Sequence, residues 1–477
     1  MNKLAELDKL YIWHPFTQMK DWLQSEPTVI VKGRGVYLYD FYGKRYIDAN
    51  SSIWTNLHGH NNSYLNKALC NQLKKIAHSS ALGLANEPAS ILAERLVKVV
   101  NPRKILNENL RNKPLEKVFY SDNGSTAMEI AIKLAFEYTR RSGLNKTPRF
   151  LSLSSAYHGD TIGAVSVGHI DLFHKTWSPL LFKTDYVMSP YCYRCRFNKS
   201  EPMRADARQY KKCRWQCVDV FEKKFKDAKR NGKPITGFVF EPLIQGSAGM
   251  IAHPDGWLKK VAEIARDYKA LLIADEVMTG FGRTGKDKGS LDAGLFACHK
   301  EAVQPDFIAL SKGLTGGYLP MAATLTTKDV FNAFLGDYSE FKTFFHGHSY
   351  TANQLGSSVA LANLDLLEDK DNIKSRNKLE LALSNELQSL WQYKQIGDIR
   401  QVGLVVGIEL VKDWRTREPY DSKEQAGIRV CKAMARRGVL TRPVGNVVVI
   451  MPPFCANEKH CKIIVSAIAE SIKETLN

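Results

Sequence analysis

Apolar and polar residues follow two rhythms along this chain. Short apolar runs occur at KVFYS (117–121), RFLSL (149–153), GFVFE (237–241), ALLIA (270–274) and DFIAL (306–310), each ending in polar or turn-forming residues. Runs of this length predict buried strands. Between them, stretches such as STAMEIAIKLAFEY from Ser125 and PDGWLKKVAEIARDY from Pro254 carry apolar residues at helical spacing. Strand–helix alternation predicts an α/β fold, with a mainly parallel sheet covered by helices on both faces. The last hundred or so residues change character. Two long polar helices, near 372–392 and 422–437, flank IRQVGLVVGIELV and predict a smaller α+β unit. The expected division is a large domain over 56–370 and a small one built from 1–55 and 371–477.

One interval breaks the rhythm. Residues 191–217, YCYRCRFNKSEPMRADARQYKKCRWQC, are basic, polar and cysteine-rich, and read as an insertion between two strands. Cys192, Cys195, Cys213 and Cys217 have the spacing C-x2-C-x17-C-x3-C. Two close thiolate pairs suit a tetrahedral zinc ion, which would fold an insert too poor in apolar residues to fold alone. The plainer reading is four reduced, partly buried thiols.

Composition narrows the classes. The chain has 477 residues, 44% of them hydrophobic, as in a globular protein with large cores. No apolar run approaches the roughly 20 residues that span a bilayer. The N-terminal stretch MNKLAELDKLYIWHPFTQMK has no apolar core followed by a small-residue cleavage site, so a secretory signal is not expected. The expected compartment is the cytoplasm, with nine reduced cysteines and no membrane partner. A net charge of +18 suits either a nucleic-acid-binding face or a basic surface spread over a large enzyme. The basic residues are scattered, densest over 204–233, and carry no nucleic-acid motif, which favours the second.

Three stretches carry chemistry. In SDNGSTAMEIAIKLA (121–135) a strand ends in a polar turn and a helix starts at Gly124 and Ser125. Helix N-termini offer free N–H groups to a phosphate, although a helix capped by Asp122 or Ser125 explains the pattern equally well. In LLIADEVMTGFGRTG (271–285) a buried strand delivers Asp275 and Glu276 at its C-terminal end, where α/β sheets bind ligands. Successive strand residues face opposite ways, so only one acid need face a ligand, and an ion pair with Arg283 is the structural alternative. In FIALSKGLTGGYLPMA (307–322) Lys312 follows a third strand, 37 positions after Asp275, and glycines follow it.

A phosphate-ready helix, an acid and a lysine at one sheet edge suit pyridoxal phosphate. The lysine forms a Schiff base with its aldehyde, and the acid keeps the pyridine nitrogen protonated. In SAYHGDTIGAVSV (155–167), Tyr157 is placed to stack on the ring, against the alternatives of core packing for Tyr157 and a turn hydrogen bond for His158. Glu241, in FEPLIQGSAGM, ends another strand and reads as a structural acid paired with Arg283.

Together these stretches resemble the class III pyridoxal-phosphate aminotransferases of fold type I, over nearly the whole chain. DEVMTGFGRTG followed by PDFIALSKGLTGG is the most specific pair. WHPFTQM (13–19), SSIWTNLHGH (51–60), YHGDTIGAVSVG (157–168), FFHGHSYTANQLG (344–356) and LTRPVG (440–445) resemble the branch that aminates 8-amino-7-oxononanoate to 7,8-diaminononanoate in biotin synthesis.

The resemblance implies roles residue by residue. Gly124 and Ser125 would bind phosphate, Tyr157 would stack on the ring and border the substrate, and Asp275 would hold the ring nitrogen. Lys312 would be the Schiff-base lysine and proton shuttle. Ser349 would reach the cofactor phosphate of a partner subunit in an obligate homodimer, with Gly347 of the same loop beside the substrate. Arg442 would bind the substrate carboxylate, and Trp54, Phe16 and Ile53 would line the substrate pocket. The usual amino donor of the branch is S-adenosylmethionine. Phe16 in place of a tyrosine, Ile53-Trp54 in place of a tryptophan pair, and the loop HGHSYT are similar to a lysine-using subgroup, so lysine stays open as donor. Two further readings stand beside this one: a 4-aminobutyrate- or ornithine-type aminotransferase, and a basic zinc-containing nucleic-acid-binding protein on an inactive enzyme fold.

Overall fold

A computed structural model describes residues 2–285 and 294–476. Its centre is a seven-stranded sheet. The order across it is Leu115–Ser121, Ala322–Thr327, Phe307–Leu310, Leu271–Asp275, Gly237–Phe240, Phe150–Leu153 and Asp185–Val187. The apolar runs read from the sequence supply five of these strands. Ala322–Thr327 runs antiparallel to both of its neighbours, and the pairings among the other strands are parallel. The antiparallel strand escaped the pattern because AATLTT has little apolar bulk, yet all six of its residues are buried. Strands covered on both faces read as unbroken apolar runs, and small residues or threonine fill such a position without announcing it. The helix Gly124–Arg141 covers one face with buried alanine, isoleucine and leucine, and Trp257–Asp267 buries Trp257, Leu258 and Val261.

The stretch IRQVGLVVGIELV forms two antiparallel strands, Ile396–Val402 and Val405–Leu410, turning at Gly403. Gly403 has φ +61°, and a Cβ there would lie 2.1 Å from the Thr284 carbonyl carbon, so both conformation and space require glycine. The helices Lys370–Leu387, Ala426–Arg436 and Glu458–Leu476 accompany this hairpin. The N-terminal strands Ile30–Arg34, Tyr37–Asp40 and Arg45–Asp48 meet the C-terminal part of the chain directly. Ile47 pairs with Val439 and Asp48 with Leu440. No helix among the described residues is long and apolar enough to cross a membrane.

The zinc site that the spacing of Cys192, Cys195, Cys213 and Cys217 allows finds no support in the fold. Among the described residues no group of three or more His, Cys, Asp or Glu side chains could hold a metal ion, and the four cysteines are free thiols. Burial, with neighbouring cysteines of the set adding to it, pushes the Cys192 thiol up to about 12 and Cys217 to about 11.

Arginines do the fastening instead. Arg204 donates to the carbonyls of Trp391, Tyr393 and Ile396 and lies over the rings of Trp391 and Trp414. Arg194 and Tyr191 both bond the Glu409 carboxylate, at 2.8 and 2.7 Å. Chelator treatment is therefore expected to leave melting temperature and activity unchanged. One zinc per chain, lost together with stability, would reverse that conclusion.

Candidate active site

A cavity of about 710 Å³ opens at the C-terminal ends of Leu115–Ser121, Leu271–Asp275 and Phe307–Leu310. It is lined by Trp54, Gly124, Ser125, Tyr157, Asp275 and Lys312 among others, so six of the residues predicted from sequence converge on one space.

Lys312 leaves its strand with φ +35° and starts a single 3-10 turn, Lys312–Thr315. The turn ends in Gly316 and Gly317, at φ +61° and +87°. A Cβ on Gly317 would lie 2.9 Å from the backbone nitrogen and Cα of Asn56. The glycines thus let one backbone lie against another. Burial lowers the Lys312 pKa, while Asp275 and Glu241 pull it the other way. Its amine lies 5.1 Å from the centre of the Trp54 ring.

Asp275 and Glu276 diverge as strand alternation requires. Asp275 faces the cavity, accepts from Val277 N–H at 3.0 Å and lies 2.8 Å from His158 Nδ1. Glu276 turns into the core, where its carboxylate accepts from Thr279 Oγ1 and from Cys298 N–H at 2.8 Å. Arg283 pairs with none of these acids. It donates to the Pro452 and Asn56 carbonyls, both at 2.8 Å, so the alternative reading of Asp275 and Glu241 as acids paired with Arg283 does not hold. His158 beside Asp275 is a site residue that sequence reasoning set aside as a turn histidine. Glu241 instead accepts from Gly246 N–H at 2.8 Å and Tyr157 N–H at 3.2 Å, and burial pushes its pKa up to about 7.

The cap of the helix Gly124–Arg141 is Asn123, not Asp122 or Ser125. Its side chain accepts from Thr126 N–H, and Thr126 Oγ1 closes the capping box. The Ser125 hydroxyl is consequently free for the cavity side, where it meets Thr161 Oγ1 at 2.7 Å. Space here is shaped by missing side chains. A Cβ on Gly124 would lie 2.6 Å from Val277, and one on Gly159 would lie 2.4 Å from Ser125. The helix start, the YHG loop and the acid-bearing strand end therefore pack in contact.

Trp54 reaches the cavity from an unusual turn. Ser51, Ser52, Ile53 and Trp54 all have positive φ, from +47° to +69°. Trp54 N–H donates to the Asn50 carbonyl and Thr55 N–H to that of Ser51, both at 2.9 Å, closing one left-handed helical turn. Left-handed backbone costs L-residues roughly 1–2 kcal/mol each. The indole N–H of Trp54 is buried without a partner among the described residues, a donor available to a bound ligand.

The remaining predicted residues lie at the margin or apart. Phe16 packs edge-on against Tyr157, ring centres 6.4 Å apart, and its carbonyl accepts from Arg442 Nη2 at 2.7 Å. Ile53 is 46% exposed and outside the cavity lining. Gly347 and Ser349 lie in a loop that also stays outside it; His78 Nε2 donates to the Ser349 carbonyl at 2.9 Å. Within that loop His348 Nδ1 is 3.5 Å from Asp122, which lines the cavity just before the helix Gly124–Arg141.

These residues fit pyridoxal phosphate: a lysine amine whose charge is disfavoured by burial, an acid deep in the cavity, and a helix start opened by glycine. The family model described as Aminotransferase class-III matches residues 19–472. A relative from Geobacter sulfurreducens, named adenosylmethionine-8-amino-7-oxononanoate aminotransferase, is 46% identical over 470 residues, covering 98% of this chain and 97% of its own. A solved structure of the Methanocaldococcus jannaschii protein of that name is 40% identical, with a TM-score of 0.87 and 99% of each chain covered. An omega transaminase from Pseudomonas jessenii, solved in complex with PMP, is 26% identical with a TM-score of 0.87, covering 99% of this chain and 98% of its own. Full-length similarity to aminotransferases overturns the reading as a nucleic-acid-binding protein on an inactive fold. This chain belongs to the class-III aminotransferases, pyridoxal-phosphate enzymes of fold type I.

Proposed function

We propose that this protein transfers an amino group to 8-amino-7-oxononanoate, forming 7,8-diaminononanoate for biotin synthesis. The observation that carries this reading is end-to-end identity of 42–46% to relatives named for that acceptor, from Geobacter, Aquifex and Methanocaldococcus among others. The motifs WHPFTQM and LTRPVG support it over a 4-aminobutyrate or ornithine enzyme, and the link between Arg442 and the Phe16 carbonyl holds those two motifs together beside Tyr157.

The cofactor, when bound, supplies an electron sink for the carbon next to nitrogen. The chain supplies the rest. Lys312 would hold the cofactor's aldehyde and carry the proton at its amine, helped by burial that favours its neutral form. Asp275, fixed by His158, would keep the ring nitrogen protonated. The N–H groups of Gly124 and Ser125 would receive the phosphate, and Tyr157 would pack on the ring. Arg442 pairs with the acceptor carboxylate, and Trp54 walls the space over the lysine.

The reading includes a homodimer, in which the partner subunit's Ser349 completes the phosphate site. Exposed Phe341, Phe345 and Tyr350 around that loop support a covered face there. The cytoplasm is the compartment assigned in this reading.

S-adenosylmethionine is the proposed donor. Its adenine and sulfonium both favour an aromatic wall such as Trp54. Mixing the loaded enzyme with S-adenosylmethionine is expected to remove its long-wavelength absorbance in a single turnover, with no such change for lysine. The opposite pattern assigns lysine. Product formed from 8-amino-7-oxononanoate with neither donor retires the donor assignment, and no product with any amine retires the acceptor.

A further inference from the structure

The left-handed turn that carries Trp54 contains no glycine, although glycine adopts positive φ freely. Ile53, β-branched, sits in its middle. Something outside the turn must hold it. Four donors converge on the 4%-exposed side chain of Asp48: Ser52 N–H at 3.0 Å, Ser52 Oγ at 2.8 Å, His60 Nε2 at 2.9 Å and, at 3.4 Å, Asn50 N–H. The direction of the His60 bond is fixed from its far side. Asn56 Nδ2 lies 3.1 Å from His60 Nδ1, so that nitrogen accepts and Nε2 carries the hydrogen given to Asp48. On the other flank Ser51 Oγ donates to the Met451 carbonyl at 2.6 Å. After the turn, Thr55 and Asn56 rest on Gly317, five residues beyond Lys312.

We propose that Asp48, with His60, is a positioning residue for the reaction: it holds the left-handed turn Ser51–Trp54 and thereby sets the indole over the Lys312 amine. Neither residue lines the cavity, and Asp48 acts through the turn it holds. The turn and the lysine form one unit, because backbone lies on backbone at Gly317. A displaced turn therefore misplaces both the wall and the amine. The carboxylate is needed because an amide offers one acceptor oxygen where four donors arrive.

The test uses the holoenzyme and two readouts. Asp48→Asn is expected to lower kcat on the order of 10²-fold, the cost of a misplacement of about 1 Å, with KM for the acceptor changed much less. Hydrogen exchange read by mass spectrometry is expected to speed up over residues 50–56 and not across the central sheet. Adding Ser52→Gly, which accepts positive φ without strain, is expected to restore most of both.

A second pair keeps the test sharp if Asp48→Asn fails to fold. Ser52→Ala and Ser52→Gly both lose the hydroxyl, yet only glycine relieves the turn. Alanine is expected to exchange faster and turn over more slowly than glycine. Identical behaviour of the two, or wild-type kcat and exchange in Asp48→Asn, overturns the proposal. The proposal rests on the aminotransferase reading for its kinetic arm only. Loss of that reading leaves the exchange arm intact, so the two failures are distinguishable.

Discussion

Replacing Lys312 with alanine is expected to abolish the long-wavelength absorbance of the loaded protein and to lower turnover by at least ~10⁴-fold, the upper end of what a positioned proton carrier contributes. The effect is large because one amine has two duties, anchoring the cofactor and moving the proton. Both depend on the neutral form. Burial under Trp54 lowers the Lys312 pKa and enlarges that fraction, against the opposing pull of Asp275 and Glu241. A methyl side chain leaves the strand Phe307–Leu310 and the glycine turn unchanged, so the folded fraction and melting temperature are expected to stay near wild type. Turnover near the wild-type rate would remove Lys312 from the mechanism.

Asp275→Asn is expected to bind cofactor and to lose about 10²–10³-fold in kcat. A carboxylate ~3 Å from a ring N–H⁺, at an effective dielectric near 20, attracts it by on the order of 5 kcal/mol before desolvation. Retaining about 3–4 kcal/mol of that in the reacting state corresponds to the stated loss. The amide keeps the shape and a hydrogen bond toward His158 but cannot hold a proton on the ring nitrogen. Glu276→Gln is the informative companion. Its carboxylate faces Thr279 and the Cys298 N–H, so it is expected to change stability and leave the cofactor spectrum alone. Equal kinetics for Asp275→Asn and wild type would assign the ring nitrogen to another group.

The sheet was legible where strands are apolar on both faces, as in DFIAL and GFVFE. It was illegible at Ala322–Thr327, where small and hydroxyl-bearing residues fill a buried strand without a period. Site residues next to turn glycines, such as Gly124 and Lys312, could be read because glycine marks where backbone must come close. The pairing of His158 with Asp275 spans 117 positions and has no local signature. Arg283 misled for the same reason. It lies in sequence beside the acids, yet its partners are carbonyls of Asn56 and Pro452, 227 and 169 positions away. The cysteine spacing suggested a metal because spacing says nothing of burial or of the arginines that fasten the insert elsewhere. Four successive L-residues in left-handed backbone cannot be foreseen from propensity, and the bond from Ser51 to the Met451 carbonyl, 400 positions away, has no local signature.

The bond from Ser51 to the Met451 carbonyl joins residues 400 positions apart. A ribosome adding ~5–20 residues per second needs roughly 20–80 s to release the second after the first. Throughout that time the turn bearing Trp54 lacks one of its two flanking clamps, and the strand Arg45–Asp48 waits for Val439 and Leu440 as its neighbour. The turn over the catalytic lysine is thus completed only when nearly the whole chain has been made, although Trp54 itself is made early. A messenger broken between codons 312 and 451 yields a polypeptide that holds the lysine, the acid and the phosphate helix but lacks the clamp on the turn bearing Trp54. Such fragments also leave apolar strand edges bare, which makes them aggregation-prone and natural targets for quality-control proteases.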